Sequence, residues 1–529
     1  MGCICGAAHE REHVGLRSEK MLKNTAVGVI AQIVYSLADW ITCTVFIKTM
    51  TDQYRGAQGL FASILSFLSL AELGIGSVLV YSMYKPIAEN DERKLTALTQ
   101  FYRKAYNIIG AMIFGVGLCL TPFLPFFVDD MDAVPHASLI YLMYLFNSVL
   151  SYMFVYKQSI LNADQKNYVI NFRCAILNAM QCAFQVLVLI TTHNFFAFLG
   201  VQMVFTLSKN IIVSHKAGKM YPFLNTKEKI SLTKEERHDI YKNVFAMFNH
   251  RVGGTVLNST DNLLITKFIG LVYCGFYNNF KMIVNVLNSF LNQFFTAMMS
   301  SVGSLTASES KETSYRTFKY LHFLSFWMYT FCTICFIELA NPFIMVWLGK
   351  EKYTFGFPTV LMIGLNFYVV GIRKVPLTFK EAMGLLWQDR VKPIIEAVIN
   401  IVISIAFIER MGIAGILLGT IVSMVVTSLW VEPHVLFKHG FQRSSGEFWR
   451  RNIIYFAFSG GLLALVHYID SLFALTGWTD LFAKFGVCLI VPNVIIAICF
   501  CFTGEFKDLF AAISGMLASK FHRKDKVTA

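Results

Sequence analysis

Apolar runs of about 20 residues, separated by polar breaks, recur from Asn24 to Thr503. Each is long enough to cross a hydrocarbon core as an α-helix. The pattern predicts about fourteen spans, centred near Tyr35, Leu70, Gly115, Phe146, Met180, Val204, Leu257, Asn288, Met328, Asn366, Val402, Met424, Gly461 and Pro492. The sixth connection is the longest and divides the first twelve spans into two sets of six. The expectation is an all-α polytopic membrane protein: an N-tail over 1–23, a first lobe over 24–214, a connection over 215–243, a second lobe over 244–437, two further spans within 438–503, and a C-tail over 504–529. In that tail Phe506, Leu509, Phe510, Ile513, Met516, Leu517 and Phe521 fall at helical spacing beside basic residues, which predicts an amphipathic surface helix. The N-tail is charged and the first apolar run has full span length, so no cleavable signal peptide is expected.

A weak internal repeat follows the same division. Asp39, Phe46-Ile47, Gly56 and Phe61 in the first span region are echoed by Asp261, Phe268-Ile269, Gly275 and Phe280 in the seventh. An even number of spans separates the copies, so they insert the same way up, as in parallel-repeat transporters.

Composition narrows the class. Of 529 residues, 55% are hydrophobic and 15% charged, against about 25% charged in soluble domains. A soluble enzyme, a disordered chain and a coiled coil are excluded. The net charge of +13 changes the picture only through its distribution. With a cytoplasmic N-terminus, cytoplasmic connections hold Lys85, Arg93, Lys94, Arg103 and Lys104, then Lys216, Lys219, Lys227, Lys229, Lys234, Arg237 and Lys242, then Lys438, Arg443, Arg450 and Arg451. Outer connections hold mainly Arg55, Lys350, Lys352 and Arg410, and the third is acidic, with Asp129, Asp130 and Asp132. This bias predicts both termini in the cytoplasm. The basic balance then needs no nucleic-acid partner.

Two motifs resemble metal or redox chemistry but lack its context. His9-Glu10-Arg11-Glu12-His13 matches a zinc-protease pattern, yet it lies in a short charged tail. Cys332 and Cys335 have redox spacing inside an apolar span, which predicts packing. No catalytic residues, metal site or organic cofactor are expected.

Polar residues inside spans are the functional candidates, because each is costly in lipid. In span seven Arg251, Thr255, Asn258 and Asn262 share a helical face, with Asp261 at its edge, roughly 15 Å deeper than Arg251. In span eight Lys281, Asn285, Asn288 and Asn292 share a face. Span one aligns Gln32, Ser36 and Asp39. Span two carries Glu72. Span five aligns Asn171, Asn178, Gln181 and Gln185, with Arg173 elsewhere, and span ten carries Arg373 and Lys374. Single amides read as helix-to-helix hydrogen bonds; aligned amides on neighbouring helices read as a hydrated cavity. Amides suit sugar hydroxyls, and Arg or Lys suits phosphate.

Leu70-Ala71-Glu72-Leu73-Gly74-Ile75-Gly76 with Tyr81-Ser82-Met83-Tyr84-Lys85-Pro86-Ile87-Ala88 resembles the second-span region of bacterial polysaccharide-transport flippases. So do Ser259-Thr260-Asp261-Asn262-Leu263-Leu264-Ile265, Gly275-Phe276-Tyr277-Asn278-Asn279-Phe280-Lys281, the stretch from Glu381 to Pro393, and Gly412 to Thr420. The resemblance implies the multidrug/oligosaccharidyl-lipid/polysaccharide exporter fold. It also implies alternating-access flipping of polyprenyl-diphosphate-linked oligosaccharide, such as O-antigen or capsule repeat units, across the bacterial cytoplasmic membrane. On it, Arg251 and Lys281 meet the diphosphate, with Arg173 and Arg373 as weaker candidates. Asn258, Asn262, Asn285 and Asn288 meet sugar hydroxyls. Asp39, Glu72 and Asp261 serve H⁺ or Na⁺ coupling or gating. Where the family commonly has a basic residue in span one, this chain has Asp39 and Trp40. The expected partners are lipid-linked oligosaccharide, membrane lipids, a glycan polymerase and glycosyltransferases, around a monomer. The rivals are a cation-coupled multidrug exporter of the same superfamily and a membrane-embedded glycan polymerase.

The charge bias makes a direct prediction about topology. Reporters fused within 215–243 or after 504 score as cytoplasmic, and one inserted at Asp130 scores as external. An external 215–243 connection would reverse the orientation.

Overall fold

The structure is a computed structural model. It describes the backbone of residues 2–72, 75–127, 134–153, 155–226, 228–308, 310–385, 387–389, 391–472, 477–511 and 514. Side chains are described from residue 24, apart from 25, 71, 77, 387 and stretches within 243–258 and 294–308. Among the described residues there is no strand. His9, His13 and the rest of the N-tail side chains, the acidic residues Asp129, Asp130 and Asp132, and the C-tail beyond 514 lie outside the described residues.

The chain forms two compact units, Met1–Asn278 and Asn279–Ala529. The first holds α1 (Gly2–Thr49), α2 (Asp52–Leu68), α3 (Ile75–Ala88), α4 (Glu92–Leu120), α5 (Leu124–Phe127), α6 (Ala137–Tyr152), α7 (Val155–Ala163), α8 (Asn167–Thr192), α9 (Phe195–Met220) and α10 (Lys234–Phe268). α11 (Leu271–Ser308) crosses into the second unit. There follow α12 (Lys311–Leu348), α13 (Phe357–Ile372), α14 (Lys374–Ala382), α15 (Lys392–Met411), α16 (Ile413–Val426), α17 (Ser428–Val435), α18 (Gly446–Ser471) and α19 (Gly477–Phe500).

Among the described residues nine helical segments are long and apolar enough to cross a membrane, or ten if the α6–α7 pair is one bent span. This makes the chain a polytopic membrane protein. The expected spans near Leu70, Leu257, Asn288 and Val402 are helical at those centres but do not pass as single apolar rods, for local reasons. Leu70 sits in a 3₁₀ turn, Ser69–Glu72, between α2 and α3. α10 carries Arg251, Asp261 and Lys267, and α15 carries Lys392, Glu396, Glu409 and Arg410. α11 carries Lys281 and includes side chains outside the described residues.

Helix ends follow their sequence signals. Thr233 and Glu236 form a reciprocal capping box at the start of α10, at 3.2 and 3.0 Å. Glu236 also pairs with Lys94 at 2.9 Å, and this bond holds its carboxyl below the ordinary glutamate range. Asn194 caps α9 by accepting from the Phe196 and Ala197 amides. Gly349 closes α12 at φ +69°, where an L side chain is strained.

Small and polar residues let α2 and α10 approach. Ser259 Oγ donates to Ser66 Oγ at 3.0 Å, and Asn262 Nδ2 donates to Ser63 Oγ at 2.9 Å. Gly56 lets α2 approach the start of α11 as well: a Cβ there would sit 1.9 Å from the Leu271 carbonyl oxygen. In the second unit Gly415 and Gly419 seat α16 on α15 in the same way. The core of that unit gathers around α12, which contributes Tyr315, Phe318, Phe323, Phe326 and Tyr329. Phe326 stacks on Tyr455 at 4.0 Å. The start of the C-tail joins this core through buried Leu509 and through Phe506, stacked on Trp327.

The backbone contact at Gly56 cannot relax by rotating a side chain. Gly56→Ala therefore destabilises the protein by about 1–3 kcal/mol, as overpacking does. Gly115 has open space around it, so Gly115→Ala leaves stability unchanged or slightly raised. Thermal unfolding of the two purified variants checks the contrast.

Candidate functional site

In the first unit, α1 turns two faces outward. Ile30, Ile33, Leu37 and Ile41 form an exposed apolar stripe suited to lipid. Gln32, Ser36 and Asp39 occupy a different face, with Gln32 bonded to Ser36 and Asp39 exposed. α8 repeats this division. Phe172, Ile176, Met180, Phe184 and Leu187 are exposed, while Asn178, Gln181 and Gln185 point to a polar seam.

Lys209, halfway along α9, sits in that seam. Its Nζ donates to Asn178 Oδ1 and, at 2.8 Å, to Gln181 Oε1. Gln181 donates in turn to Gln185, which is buried. Lys209 and Arg55 both act electrostatically on the Asp39 carboxylate. Sequence reasoning missed Lys209. An ionisable residue within the run from Phe195 to Ile212 was the available signal. It falls neither on a polar face read from the sequence nor in the basic connection, whose basic residues begin at Lys216.

The other first-unit candidates are placed apart from this seam. Arg173 folds back on its own helix, donating to the Val169 carbonyl at 2.9 Å. Glu72 receives the Tyr152 phenol. Asp261 is buried and accepts from Tyr277 at 3.2 Å. Asn262 is buried against α2, as described above. The side chains of Arg251 and Asn258 lie outside the described residues.

The second unit holds two arrangements. Along α11, Lys281, Asn288 and Asn292 are half-buried and Asn285 is exposed. Asn285, Asn288 and Asn292 make no hydrogen bond among the described residues. They form a row of free amides on one helical face.

Arg373 belongs to the other arrangement, a buried ion network. Its guanidinium forks onto Glu432, at 2.8 Å from Nη2 and 3.3 Å from Nε, and reaches Glu396 at 3.5 Å. Lys392 pairs with Glu432 and lies 3.7 Å from Asp389, which also takes Lys380. Ser428 Oγ donates to Glu396 at 2.5 Å. Arg373, Lys380 and Lys392 stand against Asp389, Glu396 and Glu432, three charges against three. An anionic cargo reaching Arg373 must compete with two carboxylates. Sequence reasoning found Arg373 but not its partners. The signal was Lys380, Asp389 and Lys392 clustered around the Glu381–Pro393 stretch.

Among the described residues no group of three or more His, Cys, Asp or Glu side chains is arranged to hold a metal ion. Cys332 and Cys335 are free and pack against the aromatic core of α12.

The architecture and sequence have relatives. Lipid II flippase MurJ in an inward closed conformation superposes with a TM-score of 0.64 at 14% identity, over 90% of this chain and 98% of that one. An inward-facing multidrug resistance MATE family transporter of the MOP superfamily gives 0.61 at 15%, over 77% and 96%. A variant of the Vibrio cholerae MATE transporter VcmN gives 0.56 at 11%, over 80% and 98%. At these identities the likeness is one of fold. No curated protein matches the chain significantly in sequence. The polysaccharide biosynthesis protein family model matches residues 21–299, over half of the chain. The chain belongs to the polysaccharide biosynthesis protein family, on a fold shared with the transporters of the MOP superfamily.

Proposed function

We propose that the protein is a flippase that moves polyprenyl-diphosphate-linked oligosaccharide across a bacterial cytoplasmic membrane by alternating access, with both termini in the cytoplasm and no catalytic chemistry of its own. The observation that carries this is the row of free amides beside Lys281 on α11. An amide with no partner costs several kcal/mol in hydrocarbon, roughly 4–8 by transfer to an apolar solvent. Three in line are stable only against water or a polar cargo. Sugar hydroxyls match amides in both directions, and the ammonium of Lys281 suits a phosphate oxygen. The Lys209 seam in the first unit offers the same chemistry. Family membership and the flippase among the structural neighbours favour this cargo class.

Asp39 favours the competing hypothesis, a cation-coupled multidrug exporter. It is an exposed carboxylate away from the lipid stripe of α1, in a chain with the fold of MATE transporters. In the flippase hypothesis Asp39, Glu72 and Asp261 act in H⁺ or Na⁺ coupling or gating. Arg251 remains the first candidate for the diphosphate, and polymerase and glycosyltransferases are the proposed functional partners.

Two outcomes are expected. Asn285→Leu and Asn288→Leu each weaken cargo binding about fivefold, the worth of one hydrogen bond of about 1 kcal/mol, without lowering the amount of inserted protein. Flux of lipid-linked oligosaccharide in proteoliposomes measures this, and unaltered flux in the double variant removes the sugar role. In cells, deletion of the gene or Arg251→Glu leaves lipid-linked repeat units on the cytoplasmic face. Accumulation on the outer face contradicts the flippase, and intact glycan with altered drug efflux selects the exporter.

A further inference from the structure

A second set of ionisable groups gathers in the second unit where α18 gives way to α19. Phe357, at the start of α13, packs on His467 at 4.9 Å. Arg373 follows the other end of the same helix, so this cluster lies roughly 24 Å from the ion network. It draws on three helices: Glu338 from α12, His467 and Asp470 from α18, and Asp480 and Lys484 from α19.

The hydrogen bonds allot the positive groups unevenly. His467 Nδ1 lies 3.1 Å from both oxygens of Glu338. Lys484 Nζ lies 3.1 Å from Asp480 Oδ2. Asp470 feels Glu338, Lys484, Asp480 and His467 electrostatically but bonds to none of them. It is only 3% exposed, and neither carboxylate oxygen has a hydrogen-bond partner. Among the described residues the Cys488 thiol also faces Asp470 and Glu338, and it interacts with that of Cys335.

A sealed carboxylate without one donor is the expensive form of the side chain. Something must satisfy it. A metal is disfavoured by geometry, since no three acidic, His or Cys groups among the described residues are arranged to hold one. A proton requires no coordination shell. It also has a route, because the His467 side chain is 53% exposed while its ring touches Glu338.

We propose that Asp470, with Glu338 and His467, is a proton-binding site shared by α12 and α18 and flanked by Asp480 and Lys484 of α19. A proton on Asp470 removes one of three clustered negative charges and supplies the missing O–H donor. A proton on His467 turns its contact with Glu338 into an ion pair. The packing of α18 and α19 on α12 thereby follows the pH on that side of the membrane. That side is the outside if both termini are cytoplasmic, and only this assignment rests on the proposed topology. The site itself is independent of the cargo.

Infrared difference spectroscopy of the full-length protein in lipid nanodiscs, stepped between about pH 5 and 8, reads the site directly. The wild type is expected to show a protonated-carboxyl carbonyl band. Asp470→Asn loses it, Asp470→Glu retains it at a displaced frequency, and Asp480→Asn leaves it in place. His467→Gln changes the pH at which the band grows. The proposal is overturned if the wild type has no such band, if Asp470→Asn keeps it, or if sodium at fixed pH abolishes it, since a cation would then be the ligand. Should Asp470→Asn fail to fold, the displaced band of Asp470→Glu decides. No transport enters the measurement, so failure of the flippase assignment and failure of this site are distinguishable.

Discussion

Hydrocarbon offers no hydrogen-bond partner, and that constraint organises this protein more than any single contact. Helices satisfy the backbone internally, but each polar side chain at membrane depth needs its own solution. Besides the proton proposed for Asp470, three solutions occur. Asn262, Ser259, Ser63 and Ser66 bond between α2 and α10. Arg373, Lys380, Lys392, Asp389, Glu396 and Glu432 form ion pairs with one another. Asn285, Asn288 and Asn292 find no partner among the described residues, and such groups call for water or cargo.

The three solutions carry different functional weight. A bond between helices fixes packing at about 1 kcal/mol. A buried ion network specifies geometry, and removing one member leaves the others uncompensated, at about 3–5 kcal/mol. Free amides contribute nothing to the fold and keep their whole bonding capacity for a ligand. Lys209 lies between these cases. Its bonds to Asn178 and Gln181 hold a cation in place without neutralising it, so its charge remains available to Asp39 or to an anion.

Fold class was legible because an apolar run of span length has few other stable states in water or lipid. Polar faces were legible too, since helical period decides which residues of one helix lie together. The neighbour across from a face is not encoded in that period. Asn262 and Asn285 look alike along the chain, yet one is sealed against α2 and the other is exposed. Arg373 was found, but Glu432, 59 residues away, was not, because nothing local couples α17 to the end of α13. Lys209 fell on none of the polar faces read along the chain. The broken segment around Leu70 read as continuous because its 3₁₀ turn interrupts the hydrogen-bond register without interrupting the apolar run.

The balance of charges around Arg373 has a consequence for how the second unit responds to voltage. A single charge carried across a membrane exchanges about 2.3 kcal/mol with each 100 mV of potential. A group of three positive and three negative charges moving together exchanges none. Movement of this network as one rigid group is therefore electrically silent, whatever its amplitude. Any dependence of the conformational cycle on membrane potential must enter through uncompensated groups elsewhere, or through the charge of what is carried.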